Sequence, residues 1–144
     1  MKKKFSGFTL VELMIAMSII AILSVVLSAS FSKAQRDGRD RKRIDDLKAV
    51  QNAAEEMNLL SGTYPVTSAA YVAGVRWLAA GGQTVLESYP EDPKNDSSYV
   101  YSLSNISSTT YCVCALMENP KNEVSGPACD FTNPAGYFCI KNRQ

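Results

Sequence analysis

From Phe8 to Phe31 the chain carries a single charge, Glu12, among otherwise apolar and small polar residues. As a helix this block is about 36 Å long at 1.5 Å per residue, more than the roughly 30 Å hydrocarbon core of a bilayer. In lipid the backbone must satisfy its own polar groups, so a spanning helix is the form it takes there. A cleavable secretory signal has a shorter apolar core followed by small residues, and Ser28-Ala29-Ser30 is only a loose match to such a site. A plain anchor fits the length but leaves Gly7, directly before the block, and Glu12, inside it, without a reason. The rest of the composition narrows the chemistry. Lys and Arg number 15 against 14 Asp and Glu, and His is absent. Histidine triads, histidine zinc sites and histidine pH switches are therefore excluded, and the even charge gives no reason to expect a nucleic-acid partner.

Gly7-Phe8-Thr9-Leu10-Val11-Glu12-Leu13, behind the basic stretch Met1-Lys2-Lys3-Lys4, resembles the N-terminus of type IV pilins and pseudopilins. The close match covers residues 4–31. The resemblance implies an α+β fold, with a long N-terminal helix packed on a small antiparallel head. It implies a leader, residues 1–7, removed by a membrane prepilin peptidase between Gly7 and Phe8, with methylation of the new Phe8 amine. It implies that Glu12 guides assembly into a helical filament of identical subunits, driven by an inner-membrane platform and its ATPase. A carboxylate this close to a helix end costs less than one at the bilayer centre and can reach the headgroups. In a filament that escape closes, and the Phe8 amine of a neighbouring subunit becomes its natural partner. An unpaired buried charge would then penalise wrong registers.

The charges on either side of the block conflict with that topology. Lys2, Lys3, Lys4 and the start amine precede it; Lys33, Arg36, Arg39, Arg41, Lys42 and Arg43 follow it. The positive-inside rule alone favours a cytoplasmic C-terminus. The family pattern and the cysteines favour an exported one, and the latter is adopted here.

Residues 32–61 continue as an amphipathic helix. Ile44, Leu47, Val50, Ala54, Met57 and Leu60 recur at spacings of three and four. Arg36–Asp40, Asp37–Arg41, Arg41–Asp45 and Lys42–Asp46 are i,i+4 pairs on the other side, expected to form a solvated face or to bridge subunits. Gly38 is the weak point, a place for a bend or local melting. Gly62 and Pro65 end the helix near Ser61. The phrase Ser61-Gly62-Thr63-Tyr64-Pro65 extends the resemblance toward the major, G-type pseudopilin of type II secretion.

Residues 62–144 are expected to form the head, completed by the amphipathic helix. Ser68–Ala80 reads as a short helix ended by Gly81-Gly82, with Trp77 in the core. Ser98–Ser104, Thr110–Met117 and Gly136–Lys141 read as strands. Tyr111, Val113, Ala115 and Met117 share one face, Phe138 and Ile140 another, and both should pack on the helix. Tyr89–Asp96 is turn chemistry. It resembles a Pro-x-Asp-Pro stretch of G-type pseudopilins, some of which bind calcium; Glu91, Asp92 and Asp96 are hard-oxygen candidates, weighed below a structural turn. No other cofactor is expected.

Cys112, Cys114, Cys129 and Cys139 lie in the last part of the chain. An exported setting favours two disulfides, and four cysteines allow three pairings. A hairpin of the second and third strands places Cys114 opposite Cys139 and leaves Cys112 for Cys129, a weak preference. Four thiolates also suffice for zinc, but C-x-C…C…C is not a strong zinc spacing. The chain reads as a structural subunit of a type IV pilus or a type II secretion pseudopilus, single-pass in the inner membrane with its head outside. The alternatives are a membrane-anchored exported binding module and a DNA-uptake minor pilin. No nucleophile–base pair or phosphate loop supports an enzyme.

Overall fold

The computed structural model describes residues 7–120, 125–132 and 135–143, with the backbone alone for 26–29. Residues 1–6 of the expected leader lie outside them. One helix, α1, spans Leu10–Ser61. Five short strands follow: β1 (Trp77–Leu78), β2 (Thr84–Leu86), β3 (Ser102–Ser104), β4 (Cys112–Leu116) and β5 (Tyr137–Lys141). β1 and β2 form an antiparallel pair, and β3-β4-β5 an antiparallel sheet with β4 central. The fold is thus α+β. Two compact units are distinguished, Met1–Gln35 and Arg36–Gln144.

In the first unit every described side chain from residue 7 to 25 and from 30 to 35 is exposed. Leu10, Met14, Ile20, Leu23 and Val25 make no apolar core of their own. By length and composition α1 can cross a membrane.

The second unit has a core that α1 shares. Leu47, Val50, Ala53 and Ala54 are buried against Tyr64, Tyr71, Trp77, Tyr89, Tyr111, Val113, Ala115 and Ile140. A fully buried Leu or Val contributes about 1.5–3 kcal/mol. Tyr111, Val113 and Ala115 alternate toward this core, and Ile140 and Phe138 of β5 join them in register with Val113 and Ala115. The strict period of two in a pleated strand sends Cys112, Cys114 and Cys139 to the opposite face. Ile44 is only half-buried and Leu60 is exposed, so the buried stripe is turned slightly from the expected one.

α1 stays helical through Gly38 and stops where expected. Gly62 adopts φ +74° and donates its N–H to the Asn58 carbonyl at 2.8 Å, a left-handed helix cap. The expected helix over Ser68–Ala80 is corrected. Only Ser68–Tyr71 forms a 3-10 turn, and Trp77–Leu78 is strand. Gly74 at φ +83° breaks the turn, and Val72, Val75 and Trp77 favour extended backbone. Gly81-Gly82, expected to end a helix, instead forms the β1–β2 turn, closed by Ala79 N–H to the Gln83 carbonyl at 2.8 Å. Trp77 is core, edge-on to Tyr71 at 5.1 Å and stacked on Tyr89 at 6.0 Å.

Candidate functional site

Two places concentrate chemistry: the start of α1 and an ionic cluster in the second unit. Gly7 and Phe8 precede α1; Phe8 is exposed, and the position of a Cβ on Gly7 meets open space. Thr9 caps the helix. Its hydroxyl oxygen accepts the Glu12 N–H at 3.2 Å, while the Glu12 carboxylate accepts the Thr9 N–H at 3.0 Å and the Thr9 hydroxyl at 2.9 Å. This is a reciprocal capping box, which satisfies two helix donors that otherwise lack partners. The Thr9-x-x-Glu12 spacing announces it, and reading Glu12 only as an assembly charge passes over it. Glu12 therefore has a local role within its own chain.

The cluster in the second unit centres on Arg43, which is fully buried. Its guanidinium grips Asp92 with both arms, Nε to Oδ2 at 2.7 Å and Nη2 to Oδ1 at 2.9 Å. Nη1 reaches Asp40 at 2.7 Å and Glu118 at 3.0 Å. Tyr99 lies under the group, 4.7 Å from ring centre to guanidinium carbon. Arg39 holds Glu118 by two further bonds of 2.6 Å. Asp40 also accepts the backbone N–H groups of Glu118 and Asn119 at 2.9 and 2.8 Å. Burial alone would lower the Arg43 pKa; the hydrogen bonds it donates to Asp92, Asp40 and Glu118 outweigh it and hold the guanidinium charged. Glu118 is pulled down to about 2, chiefly by its hydrogen bond from Arg39, against the opposing effect of burial.

The solvated helix face expected here is corrected in part. Asp40, Arg43 and Asp46 are buried. Of the four expected i,i+4 pairs, Lys42–Asp46 is present at 2.5 Å, while Asp40 pairs with Arg43 and Asp37 accepts the Asn119 amide. Further down α1, Asp46 accepts the Tyr101 hydroxyl at 2.9 Å, and Glu55 accepts those of Tyr64 and Tyr111 at 2.9 and 3.4 Å. Carboxylates of the helix thus fasten the head at three levels. Arg43 was legible as an intruder, because it sits four residues before Leu47 and seven before Val50 on the apolar stripe.

The calcium candidates go to different partners. Asp92 faces inward to Arg43 and also accepts the Lys94 N–H at 2.9 Å. Glu91 accepts the Asn95 amide. Asp96 accepts the N–H groups of Ser98 and Tyr99 and pairs with Lys94 at 3.1 Å. Among the described residues the metal-capable cluster is a different one, Cys112, Cys114, Cys129 and Cys139. Cys112 is bonded to Cys129, and Cys114 to Cys139 across the β4–β5 register. Cys129 reaches Cys112 from a 3-10 turn, Pro127–Cys129, in which Ala128 and Cys129 take φ values of +61° and +59°. Left-handed backbone costs roughly 1–2 kcal/mol per residue of this kind, so the disulfide and the Gly126 N–H to Asp130 carbonyl bond at 2.6 Å hold a turn that would otherwise open.

Comparison with known proteins bears on the start of α1. Residues 2–28 match the family described as the prokaryotic N-terminal methylation motif. This match covers the stretch whose residues resemble the N-terminus of type IV pilins and pseudopilins. The chain is 30% identical over 66 residues to the type II secretion system core protein G of Aeromonas hydrophila, covering 46% of each chain. The chain thus spans about half the length of the curated protein it matches. No solved structure matches it. The matched residues include Gly7, Phe8 and Glu12.

Proposed function

We propose that the chain is a structural subunit of a thin helical filament, stored in a membrane through residues 8–31 and stacked through that same segment. The observation that carries this is the first unit of the fold: an apolar helix with every described side chain exposed, behind a methylation motif. Exposed apolar area on this scale requires a cover. Lipid covers it in the stored subunit, and copies of the chain cover it in the filament. A head-to-tail contact that does not close gives such a filament. The similarity to core protein G supports a type II secretion pseudopilus ahead of a surface pilus. The partners are then further copies, a prepilin peptidase, and an inner-membrane assembly platform with its ATPase. Two disulfides support an exported head.

Cleavage after Gly7 is what turns the Phe8 amide into an amine. Glu12 then has a cation to meet on a neighbouring subunit, in competition with its own Thr9. Intact mass from membranes containing a prepilin peptidase should show loss of residues 1–7 and one added methyl group. Two variants separate the charge from the cap. Glu12→Gln keeps the reciprocal cap but removes the charge; Glu12→Ala removes both. Filament yield should collapse in both, with membrane insertion intact. Normal yield from Glu12→Gln would refute the ion-pair role and leave the cap as the sole function of Glu12.

A further inference from the structure

The four cysteine sulfurs lie within 4.8 Å of one another. Two of them, Cys112 and Cys114, are not bonded to each other and stand 3.7 Å apart. A tetrahedral zinc centre with Zn–S bonds of about 2.3 Å has sulfur–sulfur edges of about 3.8 Å. One edge of that tetrahedron is therefore already present between the two disulfides. Cys112 and Cys114 share one face of the central strand β4, and Cys139 stands opposite Cys114 on β5. Three of the four positions are thus fixed by the sheet and not by the disulfides. Cys112 and Cys114 are buried, which shields a metal–thiolate centre from water. When the two disulfides are reduced, their two S–S edges open to non-bonded contact, toward the same length, while the other three edges already lie within 4.8 Å.

We propose that the reduced head binds one Zn2+ ion through Cys112, Cys114, Cys129 and Cys139 as a tetrahedral tetrathiolate. Two equivalents of a dithiol reductant supply four electrons and four protons, becoming two cyclic disulfides and leaving four thiols. Zn2+ then displaces four protons as four Zn–S bonds form. The ion staples the same three segments as the disulfides: β4, β5 and the 3-10 turn before Asp130. The head thereby has a cross-link available before its cysteines oxidise, independent of the filament role.

The test uses the full chain in detergent, reduced and then titrated with Co2+ as a spectroscopic probe. The expected result is the visible d–d bands of a tetrahedral thiolate site, saturating at one ion per chain and bleached by stoichiometric Zn2+. The oxidised chain should give no bands. Cys114→Ser should lose saturation at one equivalent, and replacing all four cysteines by Ser should abolish the signal. Trp77 fluorescence and circular dichroism, recorded alongside, follow the fold. A reduced chain that loosens without metal and regains its native spectra with Zn2+ supports the site. Absent bands at stoichiometric Co2+, a signal that survives the fourfold variant, or a reduced chain that stays unfolded with Zn2+ overturns it.

Discussion

Arg43→Met tests the energetics of the buried cluster most directly. The substitution keeps much of the side-chain volume and removes the cation. Its three carboxylate partners do not suffer equally. Glu118 retains both bonds from Arg39, and Asp40 retains the backbone N–H groups of Glu118 and Asn119. Asp92, whose side chain is only 1% exposed, keeps the Lys94 N–H alone. The loss should therefore match one abandoned buried carboxylate, about 3–5 kcal/mol, and not three. At about 4 °C per kcal/mol for a domain near this size, the melting temperature falls by roughly 12–20 °C. The chain has one Trp, Trp77, and it is buried in the head, so its fluorescence in detergent reports the head. Adding Asp92→Asn to Arg43→Met removes the stranded charge and should recover about half of the loss. A loss below about 1 kcal/mol, or a double variant no better than the single one, would refute the reasoning.

Three further outcomes follow from the same geometry. The Glu118 carboxyl lies near 2 in the fold, below the ordinary carboxylate range of an unfolded chain. It stabilises the head fully above about pH 5, and that stabilisation drains away as pH falls toward 2. Melting of Glu118→Gln should be lower at neutral pH and flatter through the acid range; an unchanged acid slope would count against it. Burial, then Glu55, pushes the Tyr64 phenol up to about 12, whereas an unfolded chain ionises near 10. Stability should thus decline as pH rises from about 10, and Tyr64→Phe should flatten that decline in the Trp77 unfolding signal; an unchanged alkaline slope would count against it. A Cβ added at Gly62 meets no neighbour within 4 Å, so the cost of Gly62→Ala is the left-handed backbone alone, about 1–2 kcal/mol in denaturant melts. A neutral result would show that the cap at Gly62 bears no strain.

The helix stop at Gly62, the core face of β4 and the opposed cysteine face were readable, because each rests on a local rule: a positive φ, or a period of two. The segment around Trp77 was misread because Ala-rich spacing mimics a helix, and only Gly74 and the pairing with β2 decide otherwise. The sequence pattern of α1 charges suggests a solvated face or bridges between subunits, because i,i+4 spacing cannot see partners far away in the same chain. Asp92 and Glu118 are such partners, brought to Arg43 by a turn and by the end of β4. The reciprocal bond of Thr9 and Glu12 was local and legible, yet was overshadowed by the meaning of a charge in an apolar run.

The attachment of α1 to the head also governs when the head can form. Arg43 meets Glu118 across 75 residues, and Gln51 meets the Lys141 carbonyl across 90. Contacts of such separation pay loop-closure entropy before they return any stability. Ribosomal synthesis delivers the helix first and β5 last, so the core stripe of Leu47, Val50 and Ala54 waits without its cover until nearly the whole chain exists. The head is therefore late-folding by topology. During that interval the apolar stripe of α1 lacks its partners, and only the arrival of β5 locks the head.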